Sequence, residues 1–290
     1  MKAGQSWQYR RVLLQTDFDR FARLSGDDNP IHCDPAFARR SHFGATVAHG
    51  MMLYACIAKG LTEFVGPGVQ QLEQSLMFSH PTFVHDPITI SLSVAAVDEQ
   101  GVLEIVSEVS KPGPDGTPLP TASGRTRVVA AGVAVPAMAP PAIATGAGDR
   151  LLYGLRVGNS ASDERIFSLA DLEEYGNLSG DRNPLFREGA QPAPRVPGPL
   201  LAGMFSDLLG TRLPGRGTGW MKQVLRFPRP AYPGENLRAS VSITRLRADK
   251  ELVNLATRVS NGKGDVVCDG EALVLVRNLE NKQDNKSEYS

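Results

Sequence analysis

The heptapeptide LSGDDNP at 24–30 returns as LSGDRNP at 178–184, 154 residues later. Solenoid repeats have periods of about 20–50 residues, so a repeat at this spacing divides the 290-residue chain into two copies of one domain. The match continues downstream. Gly50-Met51 aligns with Gly203-Met204 at an offset of 153, and LMFSHPTFVHD (76–86) aligns with LRFPRPAYPGE (225–235) at 149. Offsets that shrink along the chain mean small deletions in the second copy. A unit of about 130–150 residues is long enough to bury its own core. The expected boundaries are 1–132 for the first domain and 150–278 for the second. A Pro/Ala-rich linker (133–149) joins them, and a polar tail (279–290) follows.

Composition removes several classes of function. The 31 basic and 31 acidic side chains cancel, leaving no net field to draw in nucleic acid or an anionic membrane. Cys33, Cys56 and Cys268 are far apart with no CxxC pair, which argues against a disulfide framework or a zinc site and suits a reducing cytoplasm. The amino terminus, MKAGQSWQYRR, has no apolar signal core. The longest apolar stretch, 128–144, is broken by Pro136, Pro140 and Pro141, so no membrane span is expected. All five histidines (His32, His42, His49, His80 and His85) fall in the first copy. Imidazole chemistry is confined to that half.

Each copy shows the same coarse order. A short helix (17–26) comes first, and a Gly/Asp/Asn/Pro loop ends it. A second short helix (35–40) follows Pro35, and an almost wholly apolar helix runs from Gly50 to about Thr62. The segments 75–80, 88–97, 103–110 and 121–132 then carry the β-branched content and partial alternation of antiparallel strands. One buried helix followed by a meander predicts an α+β unit, a sheet wrapped around that helix.

The segment SGDDNPIHCDPAFA (25–38) combines a carboxylate and an imidazole five residues apart. Gly26 and Pro30 are expected to fix the loop and keep it from becoming helix, so that Asp27 and His32 converge on one water. Taken alone, such a loop is a turn in which Asp27 or Asn29 caps a helix. With AHGMM (48–52) it resembles the hydratase-2 motif of the MaoC-like, R-specific enoyl-CoA hydratases. Gly26, Asp27, Asn29, Pro30, His32, Asp34 and Ala38 all fall where that pattern wants them. The resemblance covers both halves and implies a double hot dog, two tandem hot-dog repeats paired side by side with the acyl tunnel at their seam.

The implied activity is reversible hydration of a trans-2-enoyl-CoA to the (R)-3-hydroxyacyl-CoA. Such a reaction needs a base for water, an acid for the α-carbon and donors for the enolate oxygen. Asp27 is expected to activate the water and His32 to protonate the α-carbon. The backbone N–H of Gly50, with a helix dipole behind it, faces the thioester oxygen, and Asn29 supports the loop. The CoA thioester is substrate; no metal or redox cofactor is required. The implied partner is a small acyl-CoA, with neither nucleic acid nor membrane, and the pseudo-dimer within the chain leaves a further homodimer open.

The neighbouring residues are expected to be structural. His49 buttresses the loop, Asp34 supports it, and His42, His80 and His85 belong to the surface or strands. Cys33 lacks support as a nucleophile, since alternation points it away from the site. Ala38 stands at the twelfth position where a calcium loop needs glutamate, and GRGTG (215–219) lacks GxGxxG spacing. Two alternatives remain. A hot-dog thioesterase commonly carries an acidic base on the central helix, but MMLYACIAKGLTE has no carboxylate before Glu63. A non-catalytic acyl-CoA-binding subunit is at odds with the intact Asp27/His32 pair.

The second motif, SGDRNPLFREGA (179–190), keeps Asp181, Asn183 and Pro184 but has Phe186 at the histidine position. The second half is therefore expected to be inactive and to serve as structure and ligand scaffold. Residues 187–203 are Pro/Gly-rich where the first copy has a helix, which suggests a reshaped pocket wall. Lys222, Arg226 and Arg229 could meet CoA phosphates, although basic residues on a strand usually form its solvated face.

Overall fold

The computed structural model describes residues 1–138 and 151–280. Positions 139–149 of the expected linker and the tail from 281 lie outside the described residues. Strand β1 (Ser6–Val12) opens the chain, followed by α1 (Gln15–Ser25), α2 (Pro30–Cys33), α3 (Pro35–Arg40) and α4 (Gly50–Val65). Strands β2 (Gln70–Phe78), β3 (Pro87–Val97), β4 (Val102–Pro112) and β5 (Pro118–Val129) complete the first half. The second half repeats the order with β6 (Ser160–Ile166), α5 (Leu169–Ser179), α6 (Gly198–Asp207), β7 (Gly219–Arg226), β8 (Asn236–Arg247), β9 (Leu252–Ser260) and β10 (Val266–Leu275). A single 3-10 turn, Pro184–Phe186, stands where the first half has α2 and α3.

Three expectations are corrected. The first element is a strand. SWQYRRV alternates exposed and half-buried positions and pairs antiparallel with β3, from Ser6 opposite Ser93 to Val12 opposite Pro87. As an edge strand it carries aromatic and charged side chains, so its sequence lacks the usual β-branched signature. Pro30 begins a helical turn and does not prevent one. It occupies the first position of α2, where its missing N–H costs nothing, and the Asn29 side chain caps the turn by accepting from Ile31 N–H at 3.3 Å. Gly50 corresponds in space to Gly198, not to Gly203. Each opens the central helix of its half, and a Cβ on either would meet the ring of Phe78 or Phe227 at under 3 Å. Gly203 lies inside α6, where a Cβ would come within 2.8 Å of Ser25; its small size serves the crossing of α6 over α1. The Pro/Gly-rich stretch thus ends at Pro197, and helix begins there.

Among the described residues, ten strands form one sheet in the order β1-β3-β4-β5-β2-β7-β10-β9-β8-β6. Each half supplies five neighbouring strands, and the halves join through antiparallel β2 and β7. The seam is centred on Ser75 opposite Val224, positions separated by the same 149 residues as the repeated segments LMFSHP and LRFPRP. A two-fold axis therefore relates the halves. Buried Gln74 and Gln223 flank it, each donating to the carbonyl of its own successor, at 2.7 and 2.8 Å. At the outer ends, Arg11 of β1 donates to the carbonyls of Leu178 and Ser179 that end α5, while Arg165 of β6 donates to Arg23 O in α1. Both contacts place a cation at a helix carboxyl end, its favourable position.

The central helices sit against this sheet. Met51, Met52, Tyr54, Ile57 and Leu61 of α4 are buried, as are Leu200, Leu201, Met204 and Phe205 of α6. Each large side chain contributes about 1.5–3 kcal/mol by burial, so nearly every face of α4 is committed to the core. Val133 and Met138, at the start of the expected linker, pack on Leu72, Val102 and Val129. Strands β5 and β10 approach their neighbours so closely that a Cβ at Gly124 would lie 1.8 Å from Ser75 O, and one at Gly270 would lie 1.7 Å from Val224 O. Gly124→Ala and Gly270→Ala should each destabilise the protein by about 1–3 kcal/mol, read as a lowered urea midpoint at unchanged m-value. Wild-type midpoints for both variants would refute the claim that these contacts set the strand spacing.

Candidate active site

The SGDxNP loops begin as the same backbone device in both halves. Gly26 and Gly180, at φ 85° and 78°, end α1 and α5 in the left-handed conformation that glycine tolerates. Asp27 N–H donates to Ser25 Oγ at 3.2 Å, and Asp181 N–H to Ser179 Oγ at 3.0 Å. Asn29 N–H donates to Asp27 Oδ1 at 3.3 Å, and Asn183 N–H to Asp181 Oδ1 at 3.0 Å. The asparagine amides reach across the seam, Asn29 Nδ2 to Gly210 O at 3.2 Å and Asn183 Nδ2 to Val69 O at 3.0 Å. Asn29 therefore ties its loop to the other half as well as capping α2. The motif is structural in both copies, and its chemistry must come from what surrounds it.

In the first half, buried Asp27 meets His32 with Oδ2 and Nε2 3.8 Å apart. His32 Nδ1 lies 2.8 Å from Val47 O; a carbonyl only accepts, so Nδ1 carries the hydrogen and Nε2 is the nitrogen free to exchange a proton. His49 is fully buried, stacks on His32 with ring centroids 3.8 Å apart, and places Nε2 3.0 Å from the backbone carbonyl of Asp27. It buttresses the loop as expected. Burial, with the neighbouring His32 adding to it, pushes its pKa down to about 3, so it stays neutral. Asp27, His32 and His49 bring ligand atoms within 4.8 Å of one another. The imidazole planes, however, are only 28° apart, so their in-plane lone pairs do not converge on one ion.

The residue that sequence reasoning missed is Ser206. It projects from α6, in the second half, and its hydroxyl donates to Asp27 Oδ2 at 2.5 Å. Burial alone raises the Asp27 carboxyl; the facing imidazoles and the hydrogen bonds from Ser206 and Asn29 N–H outweigh it and hold the group below the usual carboxylate value. After Asp207 the helix relaxes into a π-helical turn, Leu208–Arg212, closed by Leu213 N–H on Leu208 O at 2.8 Å. That turn presents Gly210 O to Asn29. Nothing local in the second copy signals these contacts. The clue was the repeat itself, since two paired units must each present a central helix to the other's loop.

A cavity of about 610 Å³ opens onto this pair. Its walls include Gly50, Phe78, Ser206 and Trp220, so both halves build it. Gly50 opens the 16-residue α4, and its N–H has no carbonyl acceptor within the helix. His42 and His80, expected as surface or strand residues, line the exposed part of this cavity together with Arg40, and His85 is exposed elsewhere. Asp34 caps α3, accepting from Ala36 and Phe37 N–H at 2.8 and 3.0 Å. Cys33 stands on α2, so strand alternation does not orient it; burial and nearby carboxylates raise its thiol to about 11. Arg226 pairs with Asp269 and Arg229 with Asp265, while Lys222 is exposed on β7; none lines this cavity.

The second loop has lost two partners. Phe186 replaces the histidine, and Ala58, the ninth residue of α4, occupies the place that Ser206 holds as the ninth residue of α6. Asp181 is 3% exposed and its Oδ2 has no hydrogen-bond partner. Burial, partly offset by the nearby Thr62 hydroxyl and Asn183 N–H, raises its pKa to about 6. A carboxyl raised on folding destabilises the native state once pH exceeds its unfolded value, with the full cost reached above about 6. That cost is on the order of 3 kcal/mol. Relative to wild type, Asp181→Asn should gain stability as pH rises from 4 to 7, by up to about this amount, in parallel denaturant titrations. A pH-independent difference would refute the shift.

The comparisons with known proteins point the same way. The family described as MaoC like domain matches residues 2–112. The (R)-specific enoyl-CoA hydratase of Aeromonas caviae is 39% identical over 126 residues, 41% of this chain and 94% of that protein. The 3-hydroxybutyryl-CoA dehydratase of Methylorubrum extorquens is 35% identical over 136 residues, 44% of this chain and 85% of that protein. Among solved structures, a MaoC-like dehydratase superposes with a TM-score of 0.72 at 16% identity, covering 94% of this chain and 98% of that one. A Mycobacterium tuberculosis protein described as a double hotdog fold gives 0.69 at 13% identity, covering 95% and 97%. Among the described residues, no helix is long and apolar enough to cross a membrane. The fold is a double hot dog with its pseudo-dimer inside one chain, and the chain belongs to the MaoC-like dehydratase family of hydratases and dehydratases.

Proposed function

We propose that the protein hydrates a trans-2-enoyl-CoA to the (R)-3-hydroxyacyl-CoA, or runs the reverse dehydration, at one active site per chain. The observation that carries this reading is the approach of Asp27 Oδ2 and His32 Nε2 to 3.8 Å beside the opening of α4, in a cavity built by both halves. Water held between the two groups gives a proton to Asp27 while its oxygen bonds the β-carbon. The π electrons move toward the thioester oxygen, where the Gly50 N–H and the dipole of α4 stabilise the enolate. Protonated His32 then delivers a proton from Nε2 to the α-carbon, and the proton on Asp27 passes to His32 to reset the pair. The chain's own groups supply both proton transfers, and the reading assigns no step to a cofactor. The R configuration rests on the motif and on the names of the relatives.

Ser206 holds Asp27 in orientation and in its ionised form, which makes the second half a contributor to the same centre. The π-helical turn adds Leu209 and Gly210 to the cavity wall, giving the acyl group a boundary that a regular helix would set differently. Arg40 is the one arginine or lysine among the described lining residues, a suitable contact for a phosphate of the CoA moiety.

With crotonyl-CoA, the protein should remove the enoyl-thioester absorbance and form the (R)-alcohol. Asp27→Asn and His32→Ala should each lower kcat by at least about a hundredfold, and Ser206→Ala by about tenfold, the worth of one hydrogen bond to a charged group. Release of free thiol in place of hydration, or no turnover at any chain length, would overturn the reading. Arg40→Glu should raise KM for crotonyl-CoA by about tenfold, consistent with loss of one charged contact. It should leave KM for the N-acetylcysteamine thioester, which lacks phosphates, unchanged; equal effects on both substrates would remove Arg40 from the CoA contact.

A further inference from the structure

The two-fold axis that builds the active cavity creates a second one. It measures about 280 Å³ and is lined by Asp181, Phe186, Gly198 and Phe227, the counterparts of Asp27, His32, Gly50 and Phe78. Its walls are largely apolar, yet three buried polar atoms on its lining residues lack hydrogen-bond partners. They are Asp181 Oδ2, Gln71 Nε2 and Arg195 Nε. Asp181 Oδ1 is engaged by Asn183 N–H, Gln71 Oε1 by the Tyr54 hydroxyl at 2.5 Å, and Arg195 Nη1 by Gln70 Oε1 at 2.6 Å, while the nearby Thr62 hydroxyl donates to Ala58 O at 3.3 Å. A buried polar group left unsatisfied is unfavourable, because it has given up its bonds to water without replacing them. Three such groups in one cavity therefore describe a ligand by what it must supply.

The required chemistry is mixed. An ionised Asp181 Oδ2 accepts and never donates, so it requires a donor; Gln71 Nε2 and Arg195 Nε donate, so they require acceptors. An apolar chain carrying one hydroxyl and one carbonyl or carboxylate meets all three. We propose that this second cavity is a non-catalytic binding site for a hydroxyacyl group, its hydroxyl donating to Asp181 and its carbonyl or carboxylate oxygen accepting from Gln71 and Arg195. Phe186 supplies no proton at the position corresponding to His32, so the bound group is held and not dehydrated. The assignment is independent of the reaction catalysed in the first cavity.

Isothermal titration with 3-hydroxyhexanoate and hexanoate at pH 8 tests the site in the full-length protein. Wild type should bind one equivalent of the hydroxy acid at least about tenfold more tightly than hexanoate, as expected for one hydrogen bond to a charged acceptor. Asp181→Asn should abolish that preference while keeping hexanoate binding, a readout that general loosening of the fold does not produce. Arg195→Gln should weaken both acids about tenfold. A second arm distinguishes free acid from thioester. In the His32→Ala background, 3-hydroxyhexanoyl-CoA binds two equivalents, falling to one with Asp181→Asn, if the thioester also enters; it binds one throughout if only the free acid does. The proposal is overturned if wild type binds neither ligand at a site sensitive to Asp181→Asn, if it shows no hydroxyl preference, or if Asp27→Asn abolishes hydroxy-acid binding while Asp181→Asn leaves it intact.

Discussion

Because Ser75 lies opposite Val224 in the antiparallel pairing of β2 with β7, the strands that meet at the centre of the sheet are related by a two-fold axis. The rest of the molecule follows from that register. It fuses two five-stranded sheets into one of ten strands and places α4 and α6 side by side against the same surface. Each SGDxNP loop is thereby brought against the central helix of the opposite half. A shift of one residue would turn the side chains of either strand to the wrong face, exposing the buried glutamines at positions 74 and 223 and separating Ser206 from Asp27. The seam is both the structural joint and the frame of the candidate active site.

The symmetry of the scaffold makes the asymmetry between its two loops legible. Both loops have the same serine, glycine, aspartate and asparagine contacts, so those contacts define a turn and carry no reaction by themselves. What separates the halves is a pair of side chains. His32 and Ser206 surround Asp27 with an imidazole nitrogen and a hydrogen-bond donor, and its carboxyl is held low. Phe186 and Ala58 stand in the corresponding places around Asp181, and its carboxyl is raised. The same residue type, on the same turn, is tuned in opposite directions by its neighbours. Because Ala58 and Ser206 each belong to the half opposite the carboxylate they face, neither site belongs to one domain alone.

Much of this was legible in the chain. The repeat, the buried central helix, the meander and the convergence of Asp27 with His32 follow from local pattern, because turn residues and apolar periodicity act over a few positions. The parts that escaped are those decided by distant partners. Strand β1 carries Trp, Tyr and Arg and pairs at the sheet edge, so its partner strand supplies the order that its own composition does not advertise. Gly203 aligned well with Gly50 in sequence, yet its role is set by how closely α6 crosses Ser25. Pro30 was read as a helix breaker, whereas its position after a capping Asn29 makes it a helix starter.

The sequence by itself determined that the chain is a duplicated α+β unit and that all five histidines lie in its first half, because repeats and residue inventories need no partner to be read. Only the tertiary structure decided that the second half supplies Ser206 to Asp27 and leaves Asp181 Oδ2 without a partner. Both facts depend on helices delivered across a seam by residues more than a hundred positions away in the chain, and that distance is closed by strand register and core burial, not by local sequence.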